Sequence, residues 1–258
     1  MKSILSLLCL AAVSLGLLPS QTALAQLGPV NEKGVTIGHV HILAPDPQVH
    51  KKLWMDLFDA QVARAGALEM LKLPGIIILI NKGDPSKTSG APTADHFALV
   101  VQDLEATRKK LASAKIQLSE SSIATFPDGV RVEFYEDKNL KVPVAFHHFH
   151  IMAADTAEIM NWYKKIFGVK FPDGPNFPGG EVRFSAESSP PRVPTKDHAL
   201  DHISFEVKDL AEFCKMLQAQ GIKLDLGIID APQIGLKVAF ITDPIGTRIE
   251  LTQGLAGK

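Results

Sequence analysis

The sequence predicts an α+β chain made by internal duplication, and three observations carry that prediction. His39, His41, Ile42, Asp46 and Phe58 recur 109 residues later as His148, His150, Ile151, Asp155 and Phe167. Asp95, His96, Val101, Asp103, Leu104, Leu111, Ile116 and Leu118 recur 106 residues later, with no gap, as Asp201, His202, Val207, Asp209, Leu210, Leu217, Ile222 and Leu224. Each repeated stretch opens on a short strand pattern, passes into an amphipathic helix and ends in β-rich sequence. Ordered matches at constant spacing are the mark of a duplicated module. Four units follow, at about 38–81, 95–136, 146–187 and 200–253, grouped as two tandem modules over 26–142 and 143–258.

Local signals support each element in turn. Asp155-Thr156 caps a helix whose apolar face carries Ile159, Met160, Tyr163 and Phe167, and Gly168 closes it. Asp103 and Asp209 stand in the matching N-cap position before their helices, the second closing near Gly221. A short polar link near 139–144 divides the modules. The stretch from Pro172 to Thr195 differs from the rest: it holds six prolines around one strand, Glu181 to Ser185, and reads as a lid or a long decorated connection.

The first 25 residues read as a cleavable leader. Lys2 supplies the positive start, Ile4 to Leu18 the apolar run, and Ala23-Leu24-Ala25 a small-x-small cleavage site before Gln26. That run is too short to span a bilayer comfortably, and no second one follows, so the expected location is periplasmic or secreted, without stable membrane insertion. The charge is nearly balanced, 27 Lys and Arg against 28 Asp and Glu, with no basic patch. Nucleic acid is therefore not an expected partner. After cleavage only Cys214 remains, at helical spacing with Leu210 and Leu217, which marks a core position and leaves no internal disulfide.

Chemistry enters through the strand ends. Residues two apart on a strand share a face. His148 and His150 therefore point together, as do His39 and His41, and as do Arg248, Glu250 and Thr252. Arg131, Glu133 and Tyr135 do the same in the first module. Two imidazoles and a carboxylate are a set that holds a divalent metal while leaving coordination positions open. A solitary strand histidine is usually structural, and Arg248 with Glu250 could be a simple surface ion pair. Both halves carry two strand histidines and an ending carboxylate, and this joint occurrence points to a metal.

The Asp201-His202 pair and the ending Asp243-Pro244-Ile245-Gly246-Thr247-Arg248-Ile249-Glu250-Leu251 resemble the vicinal oxygen chelate superfamily, which includes glyoxalase I, the type I extradiol dioxygenases and the bleomycin resistance proteins. The resemblance implies four βαβββ units as two tandem modules with cupped, mixed β-sheets around a metal. Carried over by position, it implies His148, His202 and Glu250 as ligands in the second module, with His39, His96 and Glu133 as their counterparts in the first. The implied cofactor is a divalent ion, Fe, Mn or Zn. A fourth ligand on the last strand of an odd unit has no candidate among Ile76 to Ile80, whereas unit three offers Glu181 or Glu187. The tyrosine that extradiol enzymes place before the glutamate is here Phe240.

Two functions follow as expectations. The first is an exported metal-dependent enzyme, dioxygenase-like or lyase/isomerase-like, acting on a small oxygen-rich molecule. In it His150 shuttles a proton, and Arg248 holds a substrate carboxylate or orients Glu250. The second is a non-catalytic small-molecule binder of the bleomycin-resistance type. Either suits a monomer or a homodimer.

Overall fold

The computed structural model describes residues 27–171, 176–187 and 190–258; the leader expected over 1–25 lies outside them. The first unit comprises β1 (Val35–Ala44), α1 (Pro47–Phe58), β2 (Gln61–Ala65), β3 (Leu68–Leu73) and β4 (Ile76–Lys82). The second comprises β5 (Ala94–Val101), α2 (Leu104–Ser113), β6 (Ile123–Thr125) and β7 (Arg131–Glu136). The third holds β8 (Val144–Ala153), α3 (Thr156–Phe167) and, among the described residues, the single further strand β9 (Glu181–Ala186). The fourth comprises β10 (Leu200–Val207), α4 (Leu210–Ala219), β11 (Leu226–Ala231), β12 (Leu236–Thr242) and β13 (Arg248–Gln253).

The four α-helices among the described residues start in the same way. Asp46, Asp103, Asp155 and Asp209 have extended backbones, and each carboxylate accepts a backbone N–H of the first turn. That bond satisfies one of the donors a helix N-terminus leaves free, and each cap is worth ~1 kcal/mol. Cys214 is buried on α4, as its spacing predicted.

The strands form two mixed sheets, an eight-stranded one in the order β11-β12-β13-β10-β1-β4-β3-β2 and a five-stranded one in the order β6-β7-β5-β8-β9. Both sheets are built from both halves. Antiparallel β1–β10 pairing joins the first unit to the fourth, and antiparallel β5–β8 pairing joins the second to the third. The expectation that each half lines its own cup is corrected here. Units of the same half meet instead through helices and core aromatics. Trp54 of α1 stacks on Phe126 at 4.8 Å, and Phe167 of α3 stacks on Phe205 at 4.4 Å. The leading strand of every unit then keeps a free backbone edge, which the opposite half completes.

Alternation along the strands sorts the side chains. Ile37, Val40, Ile42, Ile78, Phe97, Phe149, Ile203, Phe205 and Ile249 join the helices in one apolar core. Histidines and carboxylates take the other face. A β-bulge between Ile37 and Val40 interrupts β1, and another interrupts β8 opposite Ala98 and Leu99. Such a bulge bends a strand and re-aims its side chains.

The turn leading into β13 explains the Asp-Pro-x-Gly sequence. Asp243 Oδ1 accepts the N–H groups of Ile245 (3.1 Å) and Thr247 (2.7 Å), and Tyr163 donates its hydroxyl to Oδ2 at 3.0 Å. Gly246 completes the turn at φ +96°, where a side chain would be strained. Burial pushes the Asp243 carboxyl up from 3.8 to about 6 in spite of these donors. Well below pH 4 the group is neutral folded or unfolded. As pH rises towards 6 the unfolded chain ionises first, so stability present at low pH is lost, by about 3 kcal/mol for a shift of this size. Asp243→Asn should abolish that loss. Urea midpoints at pH 4 and pH 7 should diverge more in the wild type than in the variant; equal divergence would refute the assignment.

Candidate metal centres

Two groups of potential ligands line the concave faces. In the eight-stranded sheet they are His39, His41, His202 and Glu250, and in the five-stranded sheet His96, Glu133, His148 and His150. Within each group one donor atom per residue lies within 4.8 Å of all the others. We refer to them as centre I and centre II. All six ligands expected from sequence fall in these groups, but the partnerships cross the halves. His202 and Glu250 meet His39 rather than His148, and His96 and Glu133 meet His148. The cause is the strand pairing already described: His41 lies opposite His202, and His96 opposite His150.

Centre I is the more deeply buried. Glu250 Oε2 lies 2.7 Å from His202 Nε2 and 3.2 Å from His39 Nε2. The other face of the His202 ring is fixed, since Nδ1 donates to Asp201, which also accepts Arg248 Nη1 at 2.7 Å. With that N–H committed, Nε2 turns a lone pair towards a carboxylate, and a proton or a cation must lie between them. The Nδ1 atoms of His39 and His41 are buried with no partner among the described residues. The crowding of two Nε2 atoms on one carboxylate oxygen fits a bound cation better than a self-contained hydrogen-bond network.

Centre II repeats the plan. His96 Nδ1 donates to Asp95 at 2.8 Å, Nε2 lies 3.3 Å from Glu133, and Arg131 bonds Asp95. Arg192 adds a second guanidinium to Asp95 and has no counterpart in centre I among the described residues. It comes from the proline-rich stretch, whose Thr195 also accepts the N–H of Arg248 at 2.8 Å. The part of that stretch after β9 thus props both aspartate–histidine pairs from behind. Register places Glu181 beside His148 and Arg183 beside His150, and Glu181 accepts Arg183 Nε at 2.6 Å. The bulge in β8 also brings His147 to this side, stacked on Tyr135 at 4.5 Å. Strict alternation hides His147, whereas His41 was legible from its match to His150.

Electrostatics separates the histidines into two kinds. Burial drives His41 down to about 3, helped by His202 and His39, and drives His150 down to about 4; His148 falls further still. All three are neutral imidazoles at pH 7, ready to ligate. At so low a value His150 is a poor proton carrier, and its Nε2 is held 2.9 Å from Ser185 Oγ. Burial also opposes the charge on His202 and His96, but their carboxylates outweigh it and raise both above 6.5. A metal must displace that proton, so affinity should fall about tenfold per pH unit below the raised value. A titration followed by metal content between pH 5 and 8 checks this; flat affinity would remove His202 and His96 from the ligand sets. Arg248 bonds Asp201 rather than Glu250 and lies 4.3 Å over the Phe240 ring.

A cleft of about 620 Å³ opens onto centre I between His41, Asn81, Lys82, Asp201, His202 and Arg248. A second, also about 620 Å³, reaches His150 beside Glu181, Arg183 and Phe184. No helix among the described residues is long and apolar enough to cross a membrane.

Comparison with known proteins agrees with this architecture. Residues 145–251 match the family described as Glyoxalase/Bleomycin resistance protein/Dioxygenase superfamily. No curated protein matches the chain significantly. Among solved structures, glyoxalase I from Zea mays superposes with a TM-score of 0.66 at 14% identity, covering 86% of this chain and 94% of that one. A candidate dioxygenase from Bacillus subtilis subsp. subtilis str. 168 gives 0.64 at 12% identity, covering 90% and 86%. At such identities these likenesses establish the fold alone. The second half of the chain thus matches the model of the glyoxalase/bleomycin resistance protein/dioxygenase superfamily, and the chain as a whole shares the fold of these solved structures.

Proposed function

We propose that the chain is an exported, metal-dependent enzyme that acts on a small oxygen-rich molecule at centre I, by dioxygenase-like or lyase/isomerase-like chemistry. One observation carries the reading: Nε2 of the aspartate-oriented His202 and Nε2 of His39 both face Glu250 Oε2, at 2.7 and 3.2 Å. Export rests on the leader-like first 25 residues. A divalent Fe, Mn or Zn ion held there would act as a Lewis acid for two neighbouring substrate oxygens.

The residues around it have separable tasks. Asp201 fixes the tautomer of His202, and Arg248 holds Asp201 in place. Phe240, edge-on to His202 at 5.3 Å, covers one side of the ring and keeps water from it. Asn81, Lys82 and Arg248 at the mouth supply hydrogen bonds and positive charge to an oxygen-rich ligand. Reconstitution with Fe(II), Mn(II) or Zn(II), then a screen of catechols and 2-hydroxycarbonyl compounds with and without oxygen, tests the reading. Turnover that Glu250→Ala abolishes is the expected result. Failure to take up any of the three metals would leave a small-molecule binder.

A further inference from the structure

The cup of the eight-stranded sheet has two ends of opposite character. One is the polar mouth at Asn81, Lys82 and Arg248. At the other, Ile77 lies beside His39 and Leu79 beside His41, and Met70 on β3 shares their face. These side chains are buried, although the helices and main core lie on the opposite face. They pack instead against Leu27 and Leu255.

Leu255 belongs to the segment after β13, which folds back into the cup. After β13 the chain turns at Gly254, where φ is +97° and an added Cβ would sit 2.1 Å from the carbonyl oxygen of Gly235. Glu206 then holds the segment: its carboxylate accepts the N–H groups of Gly254 (2.7 Å), Leu255 (3.0 Å) and Ala256 (3.3 Å), and the Thr252 hydroxyl. Glu206 is only 6% exposed and lies on β10, four residues beyond His202. Across the cup Lys72 donates to the backbone oxygen of Lys258. Centre II has no such arrangement among the described residues, since Val100 occupies the position that matches Glu206.

We propose that Gly254–Lys258 is a strap that closes the base of centre I, with Leu255 as its floor. It restricts that site to small hydrophilic chelators that enter from the Asn81–Arg248 mouth and carry no apolar extension past the metal. The inference rests on metal binding at centre I, as proposed above. The strap would determine specificity through shape, without touching the reacting atoms.

Hydroxamates supply a bidentate oxygen head with a tail of chosen length. The test measures acetohydroxamate and octanohydroxamate binding to the Zn(II)-loaded full chain by calorimetry, in a Glu133→Ala background that removes centre II. Wild-type affinities should agree within about threefold, because a closed base offers the tail no apolar surface. Leu255→Ala and Glu206→Gln should each favour the octyl compound by about tenfold or more, since burying two of its six added methylenes suffices for that. Glu206→Gln keeps the side-chain shape, so it remains informative if Leu255→Ala fails to fold. A tenfold octyl preference in the wild type, or one ratio in all three proteins, would overturn the strap while leaving the metal reading intact. Failure of the wild type to hold Zn(II) would sink both.

Discussion

His39→Ala should remove the same metal ion that Glu250→Ala removes, although the two residues lie 211 positions apart. Glu133→Ala and His148→Ala should form the other matched pair. Orienting contacts outside the ligand set are worth 10–100-fold in metal affinity, so loss of a direct ligand should cost about 100-fold or more. Because the ligands of one centre act as a unit, the double variant His39→Ala/Glu250→Ala should lose no more metal than either single variant. His39→Ala/Glu133→Ala should lose both ions. Elemental analysis after dialysis against a weak chelator reads each case. If His148→Ala and Glu250→Ala behaved as the matched pair, the observed strand pairing would be wrong.

Much of this was legible in the sequence for physical reasons. Strand period and fixed repeat spacing gave the four units, the histidines and carboxylates that gather in the two groups, and the shared faces of His39 with His41 and of Arg248 with Glu250. The capping aspartates gave the helix starts at Asp103, Asp155 and Asp209. What stayed hidden depends on long-range pairing. Duplication shows that two units are alike, but not which unit pairs with which, because β1 and β8 present the same free edge and the same histidines. The fourth-ligand question had the same root: only the register of β9 against β8 places Glu181 beside His148. His147 was missed because a bulge breaks the period on which face assignment relies. The link between Arg248 and Asp201 was missed because it joins neighbouring strands, which sequence spacing cannot relate.

The crossed pairing has a consequence for the halves themselves. A chain of residues 143–258 alone keeps the α3–β10 aromatic packing of Phe167 on Phe205, so much of its core can form. It would also expose the edges of β8 and β10, which the first half normally covers. Open strand edges recruit partners. The first strands of the two halves correspond residue for residue, so β8 of one copy can take the place of β1 against β10 of another. The isolated second half should therefore be a homodimer in solution, by light scattering at micromolar concentration. In that dimer His148 of one copy would meet His202 and Glu250 of the other, and the ligand set expected within one module would form between two chains. Mixing with residues 26–142 during refolding should convert the homodimer to the one-to-one complex and restore the native centres. A second half that stays monomeric yet binds metal tightly would show that His148 reaches Glu250 within one chain, against the observed topology.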